Sequence, residues 1–244
     1  MIGERPGAKA SLWSVVSGWR WMHAGALCAL CADEAPLPGG LCRGCRDDLP
    51  RAGHGCRLCA LPLVGADVCG RCQRRPPPFR RVLAPFVYEP PVDALIHGAK
   101  YHQRLGDARS LGVLLAEYVA AVGGELPPLI VPVPLHRQRL RERGYNQALE
   151  IARPLARSLG LRLDPGCCIR TRPTSPQAGL GGRARRRNIA GAFTVVRVPQ
   201  AAHVAIVDDV MTTGGTVAEM AAALTGSGIG RVDVWVCARA SLPR

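Results

Sequence analysis

Apolar residues recur along this chain in two rhythms. Over residues 105–122, Leu111, Leu114, Leu115, Tyr118, Val119 and Val122 return at helical spacing and predict a helix, with a shorter one over 92–101 before it. Short unbroken apolar runs then alternate with helical stretches. VLAPFVY (82–88), LIVPVP (129–134), a run near 161–170, AFTVV (192–196), VAIVDD (204–209) and VDVWVCA (232–238) read as strands, and Pro85 marks the first as an edge. Residues 146–159 and 216–225 read as helices, with Pro154 expected to kink or interrupt the former. Strands that alternate with helices predict an α/β fold, a mostly parallel sheet covered on both faces.

The rhythm is missing from the first third of the chain. Residues 28–72 have no long apolar period and hold eight of the eleven cysteines, and RRPPPFR (74–80) follows as a stiff extended linker. The expected organisation is an amphipathic lead-in over 1–27, a cysteine-rich module over 28–73 and an α/β domain over 79–244. In the lead-in, Arg20 and His23 interrupt the apolar run, which suits neither a secretory signal nor a membrane span. The expected compartment is therefore the reducing cytoplasm, where cysteines bind metal more readily than they form disulfides.

The cysteines fall into pairs: Cys28/Cys31, Cys42/Cys45, Cys56/Cys59 and Cys69/Cys72. A gap of two residues lets both thiolates of a pair reach one metal from a single turn, and two such knuckles complete a tetrahedral four-sulfur site. Two structural zinc ions are expected, favoured over redox dithiols or an iron–sulfur cluster. Sequential pairing is preferred, with interleaved pairing left open. With four thiolates at each site no position remains for catalysis, so the metal would replace a missing apolar core. His54 reads as a bystander, and Cys167, Cys168, Cys237 and Trp235 read as core residues.

Composition changes this picture little. The 244 residues are 48% hydrophobic but only 5% aromatic, so the core must be built from Ala, Val, Leu and Ile. The formal net charge is +14, of which eight thiolates on two zinc ions would remove four. The remaining basicity suits a polyanionic ligand such as a nucleotide, pyrophosphate or nucleic acid, without choosing among them.

VAIVDDVMTTGGT (204–216) carries the most specific chemistry. A buried strand delivers Asp208 and Asp209 at its C-terminal end, where open α/β sheets place their ligands. Met211, Thr212, Thr213, Gly214, Gly215 and Thr216 then supply small side chains, hydroxyls and consecutive amides at a helix start, an anion nest suited to a phosphate monoester. The carboxylates would repel a phosphate and should face sugar hydroxyls or magnesium. The whole run resembles the phosphoribosyl pyrophosphate (PRPP) fingerprint of type I phosphoribosyltransferases. That resemblance implies the type I phosphoribosyltransferase fold, with Asp208 and Asp209 on the ribose hydroxyls, directly or through magnesium, as the expected catalytic pair. Residues 212–216 would cradle the 5-phosphate.

Further segments are similar to the ComF family. VPVPLHRQRLRERGYNQA (131–148) resembles its strand and pyrophosphate loop, with His136, Arg143, Gly144, Tyr145 and Asn146 as the matching positions. QAGLGGRARRRNIAGAF (177–193) resembles its flexible loop, including Gln177, Arg185 and Asn188. The cysteine-rich ribbon and an LIHGAKYH-like helix also occur in that family. Physically, residues 135–146 read as a basic loop whose guanidinium groups suit pyrophosphate, and 171–191 as a long Gly/Arg-rich lid. Lys100 and Tyr101 read equally as ligand residues or surface. The resemblance implies either a magnesium-dependent phosphoribosyltransferase of unspecified acceptor, or a DNA-uptake factor of natural transformation that binds single-stranded DNA. A nucleotide-sensing regulator is a third reading.

Overall fold

The computed structural model describes residues 27–35, 37–172 and 189–241; the lead-in expected over 1–27 lies almost wholly outside them. The apolar runs assemble into a six-stranded sheet made of β1 (Val82–Leu83), β2 (Phe86–Val87), β3 (Leu129–Pro132), β4 (Arg162–Leu163), β7 (His203–Met211) and β8 (Arg231–Arg239). Their order is β1–β8–β7–β3–β4, β2 also pairs with β8, and every pair is parallel. The two long strands lie at the centre in the register Val204↔Val232 to Met211↔Arg239. Both are buried on both faces, which explains their unbroken apolar sequence.

Alternation along the strands divides the core in two. Val204, Ile206, Val234 and Val236 face α7 (Gly215–Gly226) through Val217, Met220 and Leu224. Ala205, Val207, Trp235 and Cys237 pack with the helices α3 (Val92–Tyr101), α4 (Leu105–Val122) and α6 (Gln147–Leu159) on the other side. Cys167 and Cys168 are buried as well, although Cys167 lies just before β5 (Cys168–Arg170) rather than in a strand. β5 forms a separate antiparallel pair with β6 (Phe193–Val195), an arm outside the parallel sheet.

The cysteine-rich module straddles the sheet edge. Its first half, with helix α1 (Arg43–Asp47), packs Cys28, Leu41 and Leu49 into the core on the α4 side. Its second half, with helix α2 (Gly70–Arg74), packs Cys56, Cys59, Cys69 and Cys72 into the core on the α7 side. The chain between the halves runs along β2: Val87 donates its amide to Pro50 O at 2.9 Å, and Ala52 donates to Pro85 O at 2.8 Å. Pro85 separates β1 from β2, and the crossing segment covers an edge that would otherwise expose unpaired amides.

α6 runs without a break through Pro154, contrary to the interruption expected there. Pro154 lies inside a strongly amphipathic helix that packs on α4 at Gly112. A Cβ on Gly112 would lie 2.3 Å from Ile151 O and 2.5 Å from Pro154 Cγ. Packing of α4 on α6 thus outweighs the hydrogen bond lost at the proline. Gly112→Ala should destabilise the chain by about 1–3 kcal/mol through overpacking. Denaturant unfolding checks this, and an unchanged midpoint would show that the helices separate freely.

Candidate functional site

Two groups of four sulfurs stand out first. The Sγ atoms of Cys28, Cys31, Cys42 and Cys45 lie within 4.8 Å of one another, as do those of Cys56, Cys59, Cys69 and Cys72. This is the sequential pairing. Backbone amides support the sulfurs, with Cys45 N donating to Cys42 Sγ at 3.5 Å and Cys69 N to Cys56 Sγ at 3.4 Å. Against the penalty of burial, amides of Cys69, Leu58 and Cys59 bring the Cys56 thiol down to about 7, while burial and its sulfur neighbours push Cys72 up strongly. Four thiols so close together cannot all ionise without a cation, and a divalent, tetrahedral, sulfur-loving metal resolves the conflict. The donor set fits zinc. His54 stands apart from both groups, its Nε2 3.1 Å from Ala66 O.

The acidic doublet lies at the C-terminal end of β7. Asp208 and Asp209 are both buried, and each carboxylate accepts the next amide: Asp209 N to Asp208 Oδ1 at 2.9 Å, and Val210 N to Asp209 Oδ1 at 2.6 Å. Lys100, in the last turn of α3, sits 3.0 Å from Asp209 Oδ2. Burial and then Asp209 push Asp208 up to about 7, against the pull of Lys100. Burial works against the Lys100 ammonium, but Asp209 and Asp208 outweigh it and raise its pKa. Charge is therefore concentrated here and only partly balanced, the condition expected of a site that takes a cationic or hydroxyl-bearing ligand.

The turn that follows has the backbone of an anion cradle. Gly214 has φ +81°, a conformation that favours glycine, and a Cβ there would meet only the flexible end of Met211, its Cε at 2.5 Å. Gly214 caps α7 with no side-chain cap of its own, and Thr213 Oγ1 accepts from Gly215 N at 3.5 Å. Thr212 is exposed, whereas Thr213, Gly215 and Thr216 are half-buried around the helix start. The amides of this first turn have no intrahelical acceptor, and the helix dipole adds positive potential.

The basic segment after β3 is not a loop. Residues Arg137–Arg143 form the helix α5, with His136 as its N-cap accepting from Gln138 N at 3.3 Å and Gly144 closing it at φ 85°. Gln138 and Arg139 both bond Glu142 one turn on, which favours a helix over an open loop. Arg137, Arg139 and Arg141 point to solvent. Tyr145 and Asn146 hold the turn instead: the Tyr145 hydroxyl donates to Ala99 O, and Asn146 Nδ2 donates to Val133 O at 3.0 Å while its Oδ1 caps α6. Arg143 lies over the Tyr101 ring at 5.6 Å and bonds Gln147. Lys100, Tyr101, Gln103, Arg139, Glu142, Arg143 and Tyr145 line one pocket.

Gln177, Arg185 and Asn188 lie outside the described residues. Three arginines escaped the sequence reading. Arg170 on β5 is near enough to Asp208 for their charges to interact, although burial lowers its pKa. Arg71 and the buried Arg239 donate to the carbonyls of the turn after β7. Only Arg71 carried a signal, its place between the ligands Cys69 and Cys72.

Residues 24–73 match the family described as "Double zinc ribbon domain". Fold and clusters together define the class: a parallel α/β domain that carries a double zinc ribbon. The chain is 42% identical over 175 residues to the "DNA utilization protein YhgH" of Escherichia coli (strain K12), covering 70% of this chain and 77% of the relative. It is 34% identical over 185 residues to the "Competence protein F" of Haemophilus influenzae, covering 72% and 80%. The chain belongs to the ComF family. Among the described residues no helix is long and apolar enough to cross a membrane. Elemental analysis should find two zinc ions per chain, and their complete removal should lower the melting temperature, since thiol clusters in both cores would lose their cation. A metal-free protein with an unchanged melting curve would remove the zinc assignment.

Proposed function

We propose that the chain binds PRPP with magnesium at the end of β7 and transfers the phosphoribosyl group to an acceptor. The observation that carries this is the contiguity of a buried, partly balanced carboxylate pair and a glycine turn at a helix start. Asp208 and Asp209 would take the ribose hydroxyls or magnesium, and the amides and hydroxyls of residues 212–216 would take the 5-phosphate. Lys100, Arg143 and the α5 side of the pocket would lie on the pyrophosphate side, with Arg170 adding positive charge near the doublet. Magnesium would supply neutralisation of the pyrophosphate charge. The protein's own part is electrostatic and positional, holding C1 of the sugar open to an acceptor while positive charge develops on the ring. No covalent nucleophile is required.

A second reading is contact with single-stranded DNA in its uptake or use. The names of the relatives favour it, and so do Arg137 and Arg141, exposed one turn apart on α5 and suited to a phosphate backbone. Replacing both by Ala should then flatten the salt dependence of single-strand binding, with the log–log slope losing about 1.4 units for two contacts. An unchanged slope would exclude α5 as the contact.

Calorimetry with PRPP, with and without magnesium, tests the first reading. Binding should require magnesium and be lost in the double variant Asp208→Asn, Asp209→Asn; retention of affinity there would remove the doublet from the site. The raised pKa of Asp208 fixes the pH dependence. Below about 7 its carboxyl holds a proton that the ligand must displace, so affinity should increase as pH rises through about 7 and level off above it. In the unliganded chain the sign is opposite. The folded state holds this proton more tightly than the unfolded state, so the group lowers stability as pH rises from the ordinary carboxylate range towards 7. Asp208→Asn should abolish that loss in pH-dependent melting.

A further inference from the structure

Three carbonyl oxygens of the turn after β7 are held by two arginines of the second ribbon's interface. Arg239, buried at the end of β8, shares its Nη1 among Met211 O at 2.9 Å, Thr212 O at 2.6 Å and Ala240 O, and donates from Nε to Cys59 O at 2.8 Å. Arg71, between Cys69 and Cys72 on α2, donates from Nη1 to Thr213 O at 3.3 Å. The Ala240 amide adds a second bond to Met211 O at 3.0 Å. Three successive carbonyls of the turn are thus fixed, and each arginine is tied to the loop that carries a zinc ligand or lies within it.

The peptide unit converts that grip into a direction. A trans peptide is planar, so the carbonyl of one residue and the amide of the next point opposite ways. Among the described residues the one cis bond is Pro90–Pro91, so the peptides of this turn are trans. Holding the carbonyls of Met211, Thr212 and Thr213 towards the arginines turns the amides of Thr212, Thr213 and Gly214 away from them. Among the described residues, those three amides donate to no backbone acceptor. They are the group that a phosphate would use.

We infer that the second zinc ribbon sets the phosphate turn: Arg71 and Arg239 are positioning residues that aim three amides at the anion, anchored on the loop of Cys56–Cys72. This rests on the reading of that turn as a phosphate cradle. Among the described residues the first ribbon has no such link. Its contacts run to the helices on the other face, where Arg46 pairs with Glu117 and Arg104 donates to Ala29 O at 2.8 Å. One zinc ion therefore stabilises a face of the core, while the other also shapes the ligand site. By reciprocity, a ligand that tightens the turn also tightens the hold on that second zinc.

Hydrogen exchange of the full chain, read on the peptide that spans residues 210–217, tests the wiring without any ligand. In zinc-loaded Arg71→Met, the hydrogen-bonded amides of this peptide, Gly215 on Thr213 Oγ1 and Val210 on Asp209 Oδ1, should exchange about tenfold faster, the effect of losing a charged hydrogen bond to the turn. Arg239→Lys keeps the charge but cannot serve both ribbon and turn, and should do the same or more. Neither substitution should alter exchange in the segment 28–45. A chelator should strip the first cluster first, because Cys31 is exposed, and turn exchange should rise only when the second zinc leaves. Unchanged turn exchange in zinc-loaded Arg71→Met, or after both zinc ions have gone, would overturn the inference. Finally, PRPP with magnesium should tighten the affinity for the second zinc about tenfold, by the same factor as that zinc tightens PRPP. If the turn responds to zinc and to Arg71→Met but PRPP leaves zinc affinity unchanged, the wiring stands and the phosphate reading fails.

Discussion

Two adjacent carboxylates at the buried end of a central strand are the costly element of this molecule. Asp208 and Asp209 are almost without solvent, and burial and then the neighbouring Asp209 disfavour ionisation of Asp208. Such a pair persists only where neighbouring groups compensate. Lys100 arrives from the end of α3, Arg170 from β5, and the backbone amides of residues 209 and 210 bond the carboxylates from their own strand. The compensation remains incomplete, since Asp208 stays well above the ordinary carboxylate range. A ligand that brings a divalent cation or sugar hydroxyls completes it.

The surrounding fold follows from keeping that strand end in place. β7 lies between β8 and β3, with apolar layers on both faces, so the doublet cannot shift without disturbing two cores. A chain poor in aromatic residues fills those layers with small aliphatic side chains, and the close approach of α4 to α6 at Gly112 is one result. The ribbons extend both layers across the sheet edge with thiolate clusters where a larger protein would place more leucines. Metal ligation supplies order that this stretch of sequence is too polar to obtain from burial.

Much of the candidate site was legible in the residue order because its signals are local. VAIVDDVMTTGGT fits a strand, a charged end, a tight turn and a helix start within thirteen residues, and the structure forms them in that order, with the strand running on past the doublet to Met211 and the helix starting at Gly215. The basic stretch after β3 was misread because Gly144 and the arginines look like a loop. The deciding features were the His136 cap and the pairing of Gln138 and Arg139 with Glu142, which stabilise one short helix. Pro154 misled in the same way, since the sequence shows the missing amide but not the helix packed against it.

Apolar period alone determined the alternating strands and helices, and paired cysteines alone determined two metal clusters. Both are properties of neighbours along the chain: side-chain direction repeats with backbone geometry, and a turn brings two thiolates to one ion. Tertiary structure decided which sulfurs share a metal, that the two ribbons sit on opposite faces of one sheet, and that Lys100 meets Asp209. It also decided that Arg239, which reads as the plain end of an apolar strand, holds the turn after β7. Those relations join residues up to 180 positions apart, as Cys59 and Arg239 are. Only the folded path of the chain brings such distant groups within hydrogen-bond range.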